Sequence, residues 1–570
     1  MRTAHERLAA LVPAPRRTTP LGGTVRLGDS VRAAVLTPAE DLTAVTAALR
    51  LLPFEVRAAG GAESGARLVC VIDADTGGDP GSYRLAAEGE HVRFEAAGVA
   101  GIVNAVHTLR QLLPVDGYRS TPPPGMAWEI AACEINDTPA YGWRGALIDV
   151  ARHFLPKHEL LRHIDVLAAH KINIIQLHLT DDQGWRVESK AFPRLHKVGS
   201  WRTQTQISHF DDEDVFDGTP HGGYYTQDDL REIVRFAGQR GVTVVPEIEL
   251  PGHCGALLAA YPQLGSPATG AREVLTNFGV NDALLHPGRD TLDFLERLLG
   301  ETMDLFDSPW LHIGADESIL DAWARDPDVL AEAARRGLSG PRQVFAAFVA
   351  DVEQIVTARG HRLVTWDDGF ATSDASSAAG ANQVVMAWRG EEVARRAASA
   401  GHDVVLAPVI PTYFDYAQAD DPNEPLAIGG PVTLADVQTW QPVTAAWSDS
   451  ERAGVAGVQC QLWTEFIREP RQVDYMMYPR TCSFADVAWT GGGQDRTARL
   501  DALAAHLRRL DAAGVEYRPL DGPRPWQAGG TGRRAHRRSE PVTAVVEYLN
   551  AAAAAGETAY GGPRPTGPVG

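Results

Sequence analysis

From Trp143 onward, short apolar runs alternate with longer amphipathic stretches. The runs at 146–150, 172–179, 242–248, 310–314, 362–366, 384–388, 403–407 and 457–463 have the length of buried strands, and helical spacing of apolar residues fills 159–171, 227–240, 291–306, 342–359 and 391–400 between them. Eight strands in such a series predict an α/β fold, a (β/α)8 barrel whose site lies at the C-terminal strand ends. Upstream the pattern differs. Alternation at 83–85 and 91–94 predicts a hairpin, and 99–113 carries helical periodicity, which together suggest a small α+β domain. The chain thus divides into an α+β unit at 1–138, a barrel at 139–514 closed by segments at 474–489 and 496–514, and a Pro/Gly-rich tail at 515–570. That tail is read as a loop or partly disordered segment.

Composition narrows the partners. Seventy-three acids against 53 Lys and Arg give a formal charge of −20 over 570 residues, a field that opposes nucleic acid and anionic membranes. The basic patch at 533–538 does not reverse that reading. A neutral small molecule or oligosaccharide is the expected partner. No apolar stretch has transmembrane length, and the first twenty residues lack the apolar segment of a signal peptide. A cytoplasmic protein is therefore expected. The five cysteines are scattered, with no CxxC spacing, which predicts buried thiols, no disulfide framework, no metal and no cofactor.

Polar and aromatic residues gather at the predicted strand ends. They are Asp149 and Arg152; Asp181 and Asp182; Glu247, Glu249 and His253; Asp316 and Glu317; Trp366; Trp388; Tyr413 and Asp415; and Trp463 with Glu465. In His312-Ile-Gly-Ala-Asp316-Glu317 two carboxylates end one strand, and like charges in a shared pocket push one pKa upward, equipment for general acid catalysis. Consecutive Cα atoms lie only about 3.8 Å apart, so neighbouring acids cannot straddle a sugar ring as the usual two-carboxylate glycosidase requires. If the pair cleaves a glycoside, the nucleophile comes from elsewhere, including the substrate itself. Trp366, Trp388 and Trp463 offer flat apolar faces for a sugar ring and an acetamido methyl, while Arg152 and Glu465 can hold hydroxyls.

These segments, with Asp149-Val-Ala-Arg152-His-Phe, Leu179-Thr-Asp-Asp182-Gln-Gly-Trp-Arg186, Pro246-Glu-Ile-Glu-Leu-Pro-Gly-His253 and Leu462-Trp-Thr-Glu465, resemble the β-N-acetylhexosaminidases of glycoside hydrolase family 20. The resemblance spans the barrel from about 142 to 489, and the α+β unit is similar to the family's N-terminal domain. It implies an exo-acting, retaining, substrate-assisted hydrolysis of terminal β-linked N-acetylhexosamine. Glu317 would then be the general acid and base, Asp316 would orient the acetamido N–H, and Tyr413 would bond the acetamido oxygen with Asp415 nearby. Trp366, Trp388 and Trp463 would enclose the group. Arg152 and Glu465 would hold the outer hydroxyls, and Asp182 with His253 would support the 3-hydroxyl and Glu317. One departure is Ala315, where the family commonly has a second glycine. Three alternatives stand beside this reading. A carbohydrate-binding barrel without catalysis has little reason to keep both acids. A metal-dependent hydrolase built on His178, His253 and His312 lacks an early His-x-His. The third is a related family member releasing a disaccharide, lacto-N-biosidase-like.

Overall fold

In the computed structural model, which describes residues 4–59, 65–73, 78–267, 273–371, 383–530 and 542–554, eight parallel strands close into a barrel. They are Trp143–Asp149, Ile174–His178, Thr243–Leu250, Trp310–Gly314, Arg362–Trp366, Val384–Ala387, Asp403–Leu406 and Val455–Leu462. Closure comes from the last strand pairing with the first, Gly457 opposite Trp143 through Leu462 opposite Ile148. The strands are nearly continuous apolar runs because both faces are covered, by helices outside and by side-chain layers within. The second strand, for example, is buried at all five positions. Helices Lys157–Ala169, Gln227–Gly238, Arg289–Met303, Pro341–Thr357 and Glu391–Ser399 lie within a few residues of the expected stretches.

The N-terminal unit is a seven-stranded mixed sheet that contains the expected hairpin, Tyr83–Glu88 against His91–Ala96. Its helix Val99–Leu112 is buried on almost every side, because the sheet covers one face and the barrel the other. Gly101 is required there: an added Cβ would lie 2.2 Å from the Ser82 carbonyl oxygen. The two units are joined by a buried ion pair. Lys171 Nζ lies 2.9 Å from Asp137 Oδ2, and Trp489 Nε1 donates to Asp137 Oδ1 at 2.8 Å.

The segment after the barrel departs from the expected loop-like tail. Residues 515–530 pack against the barrel, with Arg518 donating to Glu424 at 2.6 Å, and Val542–Ala554 forms a helix. That helix is Ala-rich between Pro/Gly-rich flanks, so composition masked an apolar stripe at Val545, Val546 and Leu549 that the barrel covers. The basic patch at 533–538 lies outside the described residues. All five cysteines are buried and unpaired. Among the described residues, no helix is long and apolar enough to cross a membrane.

Candidate active site

Every strand of the barrel delivers polar or aromatic groups to its C-terminal end, and the sequence-predicted residues converge there. Asp316 and Glu317 follow the fourth strand on a left-handed backbone turn, with φ of 64° at Gly314, 71° at Ala315 and 48° at Glu317. Non-glycine residues hold such angles only where the surroundings impose them, at about 1–3 kcal/mol each. One imposing contact is visible: a Cβ on Gly314 would lie 1.7 Å from Glu249 Oε2, so the Glu249 carboxyl is seated directly on the turn. Ala315 accepts the strained angle and is itself buried.

The turn aims both acids into the pocket, where their side chains keep 14% and 18% exposure while the surrounding groups are closed off. His253, itself at φ 46°, connects them to the barrel interior. Its Nε2 lies 3.3 Å from Glu317 Oε2 and 3.9 Å from Asp316 Oδ2, and its Nδ1 lies 3.3 Å from Asp181 Oδ1 and 3.5 Å from Asp182 Oδ2. Burial pulls the His253 pKa down, but the Asp181 charge and the bonds to Asp181, Asp182 and Glu317 outweigh it and hold the ring as imidazolium. The Asp316 carboxyl is pushed upward, to about 7. Burial is the main cause, the charges of Glu317, Asp368 and Glu247 add to it, and His253 opposes it.

Three tryptophans and Tyr413 form the aromatic side. Trp366 and Trp463 have ring centroids 5.9 Å apart, Trp463 and Tyr413 6.4 Å, and Trp388 and Tyr413 6.4 Å in a stacked arrangement. Each buried indole N–H is anchored, Trp366 on Glu247 at 3.1 Å and Trp388 on Asp368 at 2.9 Å. Burial, followed by the negative charges of Asp415, Asp316 and Glu317, keeps the Tyr413 phenol protonated and so a donor.

Arg152 stands over Trp463, 5.1 Å from the ring centroid. It bonds Asp181 at 2.8 Å and lies 3.9 Å from Glu465. Asp415 is buried, with Oδ1 lacking a protein partner, as is Oδ1 of Asp316. Burial, with the Glu465 charge, raises the Asp415 pKa well above the carboxylate range.

Besides facing His253 Nδ1 at 3.5 Å, Asp182 has a second set of partners. It accepts from Gly255 N at 2.8 Å and from the Asn281 amide, so it braces the loop behind His253. Asp181 is the shared hub, reaching Arg152, His178 and His253. His178, which the sequence offers only as a ligand in the metal-dependent alternative, is part of this network. Its Nδ1 donates to Glu247 at 2.7 Å and its Nε2 to Asp181 at 2.8 Å. Burial opposes its charge, but these acids raise its pKa to about 10. Its buried strand-end position between two acidic strand ends was the available signal.

Residues 141–492 match the model of the glycosyl hydrolase family 20 catalytic domain, and residues 9–138 match that family's domain 2. The chain belongs to glycosyl hydrolase family 20. Among family 20 relatives, a beta-hexosaminidase of Porphyromonas gingivalis is 35% identical over 461 residues, which are 78% of this chain and 56% of that protein. The chain thus spans little more than half of that relative. Two solved family 20 structures superpose over most of its length. The exo beta-N-acetylglucosaminidase of Vibrio harveyi, in complex with N-acetylglucosamine, gives a TM-score of 0.78 at 30% identity, covering 90% of this chain and 78% of that one. The N-acetyl-beta-hexosaminidase of Streptomyces plicatus, in complex with Thio-NAglucal, gives 0.76 at 30% identity, covering 92% and 98%.

Proposed function

We propose that the chain is an exo-acting, retaining β-N-acetylhexosaminidase that removes terminal non-reducing β-linked N-acetylglucosamine or N-acetylgalactosamine by substrate-assisted catalysis. The observation that carries this reading is the Asp316–Glu317 pair, two acids on one turn facing an aromatic pocket. Neither acid can reach the far side of a sugar ring from its partner, so the internal nucleophile is the substrate's own 2-acetamido oxygen. Glu317 donates its proton to the glycosidic oxygen, and the carboxylate it leaves is stabilised by the His253 imidazolium 3.3 Å away. Asp316 accepts the acetamido N–H and stabilises the positive charge that grows as the oxazolinium ring closes. Tyr413 donates to the attacking oxygen. Glu317 then deprotonates the water that opens the ring, which returns the β configuration.

The unpartnered buried oxygens of Asp316 and Asp415 support this assignment, since buried acceptors are ordinarily paired and a sugar's N–H and hydroxyls would pair them. Arg152 and Glu465 would take the outer hydroxyls. The relatives point the same way, one being solved with N-acetylglucosamine and another with Thio-NAglucal. A cytoplasmic setting belongs to the same proposal, because five buried, unpaired thiols make no use of an oxidising compartment. Recovering the activity outside intact cells would overturn the setting alone.

The test compares chromogenic N-acetyl-β-glucosaminide, N-acetyl-β-galactosaminide and plain β-glucoside with the purified protein. Turnover of at least one acetamido substrate with an inert plain glucoside is expected. Efficient cleavage of the plain glucoside would overturn the reading.

A further inference from the structure

The helix Val542–Ala554 lies beyond both segments that match family 20, yet it packs against the aromatic wall of the pocket. Leu549 is 2% exposed and belongs to one apolar cluster with Trp388, Val409, Tyr413 and Tyr416, against which Val545 and Val546 also pack. The helix meets both loops that carry the wall. On the Trp388 side, Asn550 lies so close to Gly390 that an added Cβ there would stand 2.8 Å from its Oδ1, at a φ of 116° that already favours glycine. On the Tyr413 side, the helix contacts the segment Val409–Thr412.

Between the helix and the wall is a half-open pocket of about 260 Å³ lined by Trp388, Val409, Trp440, Trp447, Val546 and Leu549. The Trp388 indole borders this space, so its position on that side depends on what the helix supplies. The geometry points to the C-terminal helix as a positioning element of the acetamido pocket: Leu549 and its neighbours hold the Trp388 and Tyr413 loops at the spacing that directs the acetamido oxygen to the anomeric carbon. This rests on the functional reading above.

The consequence separates attack from general binding. Orientation of a reacting atom is sensitive to small displacements, about 1 Å costing up to 10²-fold, whereas Arg152 and Glu465, carried by the ends of other strands, keep their hold on the hydroxyls. Leu549→Ala should lower kcat on an aryl N-acetyl-glycoside roughly 10-fold with little change in KM. It should weaken a stable thiazoline mimic of the cyclised intermediate by a similar factor, and weaken free N-acetylhexosamine less. Leu549→Met should restore most of both quantities, and Glu547→Ala, on the exposed side of the helix, should leave them unchanged. If Leu549→Ala does not accumulate as folded protein, Leu549→Val should show the same split at smaller amplitude. Variants with wild-type kcat and thiazoline inhibition would overturn the proposal, as would equal losses for thiazoline and free sugar that follow the melting temperature. A wild-type protein inert toward every acetamido glycoside would instead overturn the functional reading.

Discussion

Two of the buried clusters of charge, one at the domain junction and one at the catalytic face, are finished differently. At the junction each group is matched. Lys171 contacts Asp137 at 2.9 Å and the Tyr83 hydroxyl at 2.9 Å, and its ammonium lies 4.2 Å from the Trp489 ring centroid. Asp137 accepts in turn from Trp489, Tyr83 and the Arg16 amide. At the catalytic face, Arg152, His178 and His253 are surrounded by Asp149, Asp181, Asp182, Glu247, Glu249, Asp316 and Glu465, and buried oxygens of Glu249, Asp316 and Asp415 lack a hydrogen-bond partner. Burial stands against the charge of Glu249, and with Asp316 and Glu247 adjoining, its pKa rises well above the carboxylate range. A saturated buried cluster fixes the fold. One with an excess of acid and open acceptors is held ready for a ligand that brings donors and positive charge.

The contrast can be broken by substitution. Glu317→Gln should cut kcat by about 10²- to 10⁴-fold on disaccharides and much less on aryl glycosides with good leaving groups, measured by steady-state kinetics on both. Equal losses would remove Glu317 as the acid. Asp316→Asn should cost about 10²- to 10³-fold on both substrate types, because it acts on charge that develops whatever the leaving group. Near wild-type turnover of the aryl substrate would contradict its role. At the junction, Lys171→Met leaves Asp137 buried without its countercharge and should destabilise the protein by about 3–5 kcal/mol in denaturant unfolding. The kcat of the folded fraction should stay unchanged, and a selective loss of kcat would erase the distinction between the clusters.

The pH dependence sharpens the same comparison. With Asp316 pushed up to about 7, it is protonated below that pH and a carboxylate above it. On an activated aryl substrate, which needs little acid assistance, kcat/KM should fall as pH drops through about 7, approaching tenfold per unit. A profile flat down to pH 5 would show that Asp316 is not the ionisation that matters. The smallest effect is expected at Ala315. Glycine there would relieve the left-handed strain, but its freer unfolded chain offsets the gain, so Ala315→Gly should shift stability by less than about 1 kcal/mol.

The barrel was legible because each strand is a compact apolar run between polar helices, and the chemistry because Asp316 and Glu317 share a strand end. Other features depended on distance in space. Whether Asp181 or Asp182 reaches Arg152 is decided by the backbone turn after the second strand, and adjacent identical residues give no periodicity to tell them apart. The pressure of Glu249 on Gly314 joins two strands, and neither residue signals it alone. In the N-terminal sheet only the hairpin had clear alternation. Strands such as Arg17–Leu27, exposed over most of their length, carry too little apolar pattern to stand out. The helix Val542–Ala554 was obscured by its flanks.

The central claim is that the substrate supplies the nucleophile, and the most direct measurement grades that nucleophile. Aryl β-glycosides bearing acetyl, fluoroacetyl, difluoroacetyl and trifluoroacetyl groups on the 2-amino nitrogen differ little in size but fall stepwise in carbonyl basicity. If the acetamido oxygen attacks within the pocket of Asp316, Tyr413 and the tryptophans, kcat should fall steeply and linearly on a logarithmic scale along the series. A flat series, or a covalent glycosyl-enzyme trapped on any carboxylate, would contradict the account.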